Sequence, residues 1–235
     1  MNKKKLGIIG GMGPDATVYM FNKIVKKTGA WKDQDHIEIF IHNNTKVPDR
    51  TDAILYNGEH PLEELLRSAS ILEKMGADII IMPCITAHYY FLDIQETINV
   101  PIINVIEESV LYIKDHILNI NNVGIIATTG TVKSRLFQES LQQRGLNPIV
   151  LADSLQNDWV MSAIYGKDGI KAGCKTENVK QKLLHAVDYL IECGAESIVA
   201  GCTEIPLVLS QNDFDIPFID PLEVLAEIAC KKCLE

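Results

Sequence analysis

Ile79-Ile80-Ile81-Met82-Pro83-Cys84-Ile85-Thr86-Ala87-His88 is the stretch from which this chain is read. A short, wholly apolar run bounded by turn residues is a strand buried on both faces, as in a parallel sheet. It ends at a cysteine and gives way to polar residues and a new helix. Ser197-Ile198-Val199-Ala200-Gly201-Cys202-Thr203-Glu204 repeats the plan, an apolar run that also ends in cysteine. Gly76-Ala77 lies ahead of the first run and Gly194-Ala195 ahead of the second, each glycine eight positions before its cysteine.

Working outward, the segments on either side repeat as well. Leu6–Ile9 runs into Gly10-Gly11-Met12-Gly13-Pro14 and a helical spacing over Ala16–Lys27, with Pro14 suited to a first turn that needs no N–H from it. A second strand fits Ile37–Ile41, a loop runs from Pro48 towards Pro61, and an amphipathic helix covers Pro61–Met75 before Gly76 stops it. A further helix over about Ala87–Thr97 leads to Val100-Pro101-Ile102-Ile103-Asn104. Asn122–Ala127 with Thr128-Thr129-Gly130-Thr131 then starts the plan again. Gly7 to Cys84 spans 77 positions and Gly124 to Cys202 spans 78; Pro101 and Pro217 are offset by 116, against 118 for the cysteines. Three landmarks in register predict two similar halves. The fold class expected is α/β: two pseudo-symmetric domains, each a parallel sheet flanked by helices, at 1–104 and 105–217. A closing helix within 218–235 can cross back onto the first. Glu107–Ile117 reads as a helix joining the halves, so they are expected to enclose an active-site cleft.

The bulk composition limits the partners. Twenty-two Lys and Arg against 31 Asp and Glu give a net charge of -9, without the clustered basic face of a nucleic-acid binder. No run is long enough to span a membrane. Met1–Lys5 is basic, but Leu6–Ile9 is too short for the apolar part of a secretory signal. Six cysteines without an export signal read as reduced thiols in a cytoplasmic protein.

In open parallel sheets ligands bind beyond the carboxyl ends of the strands, where Cys84 and Cys202 both fall. Two halves related by an approximate two-fold axis can present one sulfur to each face of a carbon centre. One thiolate then removes an α-proton and the other thiol returns one to the opposite face, which a single base does poorly. Turn N–H groups at Gly11–Gly13, the hydroxyls of Thr86 and Thr203, and helix N-termini could stabilise the charge that develops on the substrate carboxylate. The same helix ends are expected to lower each thiol from its ordinary value of about 8.5 towards neutrality.

Other features carry less. Cys174 and Cys193 read as small apolar residues, and Cys230-Lys231-Lys232-Cys233 as core on a terminal helix. Gly11–Ala16 fits a dinucleotide turn, but no carboxylate comes after the second strand to hold a ribose. His88 either orients Cys84 or is a capping or exposed histidine. Arg50, in Pro48-Asp49-Arg50-Thr51, and Lys171 are candidate carboxylate clamps. His36, His60, His116 and His185 have no metal-ligand spacing, and no metal is expected.

These motifs resemble the aspartate/glutamate racemase family: Gly10–Pro14 with Ala16-Thr17, Pro48–Thr51, Pro83-Cys84 with Thr86–His88, Ala127-Thr128 with Gly130-Thr131, and Gly201–Pro206. The resemblance runs almost end to end; the two cysteine motifs together are specific and the glycine turn alone is not. It implies a cofactor-independent two-base racemase, with no cofactor bound, of two-domain pseudo-symmetric fold and usually a homodimer. It makes Cys84 and Cys202 the acid/base pair and an acidic amino acid the substrate. By the same resemblance Met12, Arg50, Ile85, Thr86, Thr128, Lys171, Thr203 and Glu204 are substrate-site positions, with Arg50 and Lys171 for a side-chain carboxylate. Keeping Cys84, where broad-specificity members carry Thr, favours aspartate. Ile85 departs from the family's Asn, which removes a polar contact with the substrate. Glutamate or another acidic amino acid, isomerisation or decarboxylation of a dicarboxylic acid, and an inactive acid-binding relative stay open as alternatives.

Overall fold

A computed structural model describes residues 3–235; Met1 and Asn2, part of the basic start, lie outside the described residues. The chain divides into two compact units, one running to Glu108 and taking back Leu222–Glu235, the other covering Ser109–Pro221.

The first unit holds three strands, β1 (Leu6–Gly10), β2 (Ile39–Asn43) and β3 (Ile79–Ile81), all parallel in the order β2-β1-β3. A parallel bridge from Ile80 to Ile102 continues the sheet beyond β3. Its helices are α1 (Pro14–Lys27), α2 (Arg50–Leu55), α3 (Leu62–Lys74) and the short α4 (Phe91–Gln95). The glycine turn before α1 is dictated by space. Gly11 has φ +95°, and a Cβ there would lie 2.4 Å from the Asn44 backbone, so no larger residue fits. Thr17 Oγ1 ties the turn down, accepting from Gly11 N–H and donating to the Gly13 carbonyl, both at 3.0 Å.

α5 (Val105–His116) carries the chain into the second unit. There β4 (Asn122–Ala127), β5 (Asn147–Ile149), β6 (Ser197–Gly201) and β7 (Phe218–Ile219) form a parallel sheet in the order β5-β4-β6-β7. The helical segments are α6 (Thr129–Lys133), α7 (Leu136–Gln143), α8 (Asp153–Leu155), a π-helical turn at Gln156–Met161, α9 (Ser162–Tyr165) and α10 (Glu177–Glu192). α11 (Pro221–Leu234) belongs to the first unit from Leu222 onward. Lys23 and Lys27 pair with its Glu223, and the Lys4 N–H donates to the Cys233 carbonyl at 3.0 Å.

The internal repeat holds at the level of single contacts. Gly7 sits in the middle of β1 because a Cβ would meet Ile80, Ala77 and Leu72 at 3.0, 3.1 and 3.3 Å. Gly124 sits in β4 for the same reason, against Ile198, Ala195 and Leu190 at 2.6, 3.1 and 3.3 Å. In both units this missing side chain lets the helix before the cysteine strand lie directly on the sheet. Gly76 and Gly194 end those helices with φ of 88° and 94°.

Several expected elements move. The second strand lies two residues later than Ile37–Ile41, because pairing with β1 through Gly10↔Asn43 draws His42 and Asn43 into the ladder. The loop after Pro48 contains α2, capped where Asp49 accepts from the Asp52 N–H at 3.0 Å. The helix expected over Ala87–Thr97 is a 3₁₀ turn, Thr86–Tyr90, that leads into α4. Cys230 and Cys233 are buried on α11, and burial pushes the Cys233 thiol up to about 11. All six cysteines are unbridged. Among the described residues no helix is long and apolar enough to cross a membrane, and no cluster of His, Cys, Asp or Glu could hold a metal ion.

Candidate active site

In the first unit the site is built at the end of β3. Ile85 is wholly buried, and the buried Met82 and nearly buried Cys84 share an apolar cluster with Met12, Val47 and Tyr90. Ile85 therefore packs as core, in the helical conformation, and starts the 3₁₀ turn Thr86–Tyr90. His88 resolves in favour of positioning. It is buried, its Nδ1–H donates to the Cys84 carbonyl at 2.9 Å, and its Nε2 accepts the Val105 N–H at 3.4 Å. Those two bonds fix the tautomer, and burial lowers its pKa to about 4. A neutral imidazole tied to the cysteine backbone holds Cys84 in place without acting as a base on its sulfur.

Arg50 is the first residue of α2 and is 7% exposed. Its guanidinium donates to the carbonyls of Val47 (3.3 Å), Pro48 (3.0 Å) and Met12 (3.3 Å). It thus joins the loop before α2 to the glycine turn after β1. Burial raises the Tyr90 hydroxyl's pKa and the nearby Arg50 charge opposes that rise, so Arg50 also lies close to the turn that carries Thr86. Met12, Arg50, Thr86 and Cys84 are gathered at one end of this sheet.

In the second unit the end of β6 carries Cys202, Thr203 and Glu204, all at least 95% buried. The Cys202 thiol donates to Glu204 Oε2 at 3.1 Å, and the Thr203 hydroxyl donates to the same oxygen at 3.2 Å. Lys171, in the 3₁₀ turn Ile170–Ala172, donates to Glu204 Oε1 at 2.7 Å, and its ammonium lies 5.4 Å from the centre of the Tyr165 ring. The expectation of a depressed thiol does not hold for Cys202. Burial first, and the Glu204 carboxylate second, push it well above its ordinary value, with the Lys171 charge opposing. The α-helix ends expected just after the two cysteines are absent, and in their place stand the 3₁₀ turns Thr86–Tyr90 and Ile205–Leu207.

Thr128 is buried beside this strand end and spends its hydroxyl as the N-cap of α6, accepting from the Thr131 N–H at 3.3 Å. Gln156 was not singled out by the sequence. It is 2% exposed, opens the π-helical turn, and donates from Nε2 to the Ala127 carbonyl at 2.7 Å, fixing the end of β4 next to β6. Its signal in the sequence is a lone glutamine in an amphipathic stretch, which has no distinguishing pattern.

The chain is 28% identical over 228 residues to the broad specificity amino-acid racemase of Bacillus subtilis, covering 94% of this chain and 95% of that one. Its fold matches Picrophilus torridus aspartate racemase with a TM-score of 0.84 and 28% identity, covering 98% of this chain and 94% of the other. An aspartate racemase homologue from Pyrococcus horikoshii matches in fold with a TM-score of 0.78 at 24% identity, over 99% and 100% of the two chains. The sequence pattern of the Asp/Glu/Hydantoin racemase family extends over residues 9–229, and with the two cysteine-ended sheets in view the chain belongs to that family.

Proposed function

We propose that this protein interconverts the enantiomers of aspartate, with Cys84 and Cys202 exchanging the α-proton on opposite faces of the substrate and no cofactor taking part. The observation that carries the reading is the pair of buried cysteines at the ends of repeat-equivalent strands β3 and β6. A thiolate takes the α-proton, the charge spreads onto the α-carboxylate, and the opposite thiol supplies a proton. The α-carbon is far less acidic than a thiol, so donors aimed at that carboxylate must bear much of the barrier. The hydroxyl of Thr86 and the N–H groups of Met12 and Gly13 are the donors assigned to it, the Gly11 N–H being held by Thr17. Arg50, buried and fork-shaped, is the residue assigned to the side-chain carboxylate.

One observation favours a second reading, a wider range of amino acids. Lys171, the other candidate clamp, is already engaged by Glu204, which leaves the second-carboxylate contact to Arg50. The similarity to a broad specificity amino-acid racemase points the same way.

Incubation with L-aspartate in deuterated water, monitored through the α-proton signal, tests the proposal. Exchange with aspartate is expected in the wild type, and formation of D-aspartate is expected to fall at least ~100-fold in either Cys84→Ala or Cys202→Ala. A wild type that exchanges neither aspartate nor glutamate removes the reading. Single variants that both keep racemising remove the two-thiol mechanism. Equal rates across neutral and acidic amino acids select the wider specificity.

A further inference from the structure

The two thiols stand in unlike surroundings, although the strands that deliver them are equivalent. Two residues beyond Cys202 is Glu204, whose carboxylate is 3% exposed and fully used: Oε2 accepts from the Cys202 thiol and the Thr203 hydroxyl, Oε1 from the Lys171 ammonium. Two residues beyond Cys84 the repeat places Thr86, a neutral group. We propose that Glu204 fixes the starting protonation of the pair: it holds the proton on Cys202, so that Cys202 enters turnover as the acid, while Lys171 supplies the counter-charge to the Glu204 carboxylate.

A sulfur 3.1 Å from a carboxylate oxygen is a hydrogen bond only if a proton lies between them. Without it two buried anions would face each other. A thiol ordinarily holds its proton about four pH units more tightly than a glutamate carboxyl, so the shared proton stays on sulfur. The ammonium 2.7 Å from the other oxygen balances the carboxylate's charge and opposes part of the rise that Glu204 causes in the Cys202 thiol. Glu204 and Lys171 are the charged groups acting on Cys202 among the described residues, and the Tyr165 ring covers Lys171.

The consequence for turnover rests on the proposed racemase reaction. The Cys84 thiolate would take the α-proton and become a thiol. The carbanion would take the Cys202 proton and leave a thiolate beside Glu204. Resetting then moves one proton from Cys84 to solvent and one from solvent to Cys202, a step that Glu204 favours. Glu204 is thus a positioning residue for a proton, a role beside the substrate contact that the sequence assigns to it.

The test is a titration of the thiolate ultraviolet absorbance of the full chain, with the Cys202→Ser protein subtracted to isolate one sulfur. Glu204→Gln keeps the shape and removes the charge, and the Cys202 thiolate is expected to appear at lower pH by on the order of one unit. Lys171→Met is expected to move it the other way. Glu204→Asp should restore part of the wild-type position. If the enzyme racemises, the alkaline limb of its kcat/KM profile should move down with Glu204→Gln. Opposite shifts in the two variants support the proposal even in a protein that exchanges no aspartate, which would remove only the reaction. Unchanged or same-direction shifts overturn it, as does a wild-type Cys202 that is already a thiolate at neutral pH.

Discussion

His88 shows how a side chain four residues from a cysteine can serve it without touching its sulfur. Its two ring nitrogens hold the Cys84 carbonyl and the Val105 N–H, and burial keeps it neutral. The folded pKa, about 4, lies below the ordinary histidine value of 6.5, so between those limits the unfolded chain binds a proton that the folded chain refuses. Stability is therefore complete above pH 6.5 and falls as the pH drops towards 4, by roughly 3 kcal/mol for this group. Urea unfolding of wild type and His88→Gln across that range should show the slope in the first and its flattening in the second. A parallel pair of curves would mean that His88 is not the group responsible. The sequence left this role as one of three, beside capping a helix and facing solvent, because burial of a histidine depends on what packs over it. The placing of the two cysteines at strand ends was legible, since each stands eight residues after a glycine. Thiol chemistry was less so: Glu204 stands two residues past its cysteine, and only the fold turns its carboxylate back onto Cys202.

At the scale of strands and helices, the contact between the sheet and the preceding helix is repeated almost atom for atom. Gly7→Ala and Gly124→Ala should each cost about 1–3 kcal/mol, since the new methyl meets Ala77 and Leu72 in one unit and Ala195 and Leu190 in the other. Denaturant unfolding checks this, and a neutral result at either position would mean that the helix can shift outward at no cost. Buried parallel strands announce themselves as apolar runs, which is why β1, β3, β4 and β6 could be read directly. The edge strand β2 could not be bounded in that way: it is half-exposed, and its last two residues are His42 and Asn43. α2 was hidden for another reason. Six residues show too little periodicity to read, and its one sign was Asp49, ahead of Arg50, as a cap for Asp52.

For the whole molecule, the order of residues along the chain differs from the grouping of residues in space. The segment Ser109–Pro221 is continuous, whereas the first unit needs Leu222–Glu235 to complete it. α11 supplies that unit with Leu222, Leu225, Ala229 and Cys233, all wholly buried, and with the Glu223 partner of Lys23 and Lys27. A chain ending at Asp220 should lose those contacts. Limited proteolysis is then expected to digest residues before Glu108 quickly while cutting the second unit at the wild-type rate, and equal protection throughout would contradict it. The two-fold repeat could be read from sequence spacing alone, but the return of α11 could only be anticipated, since an amphipathic helix does not say which surface it covers. During synthesis on the ribosome this return reverses the order of events. The half that is made first waits, without α11, until residues 222–235 leave the exit tunnel.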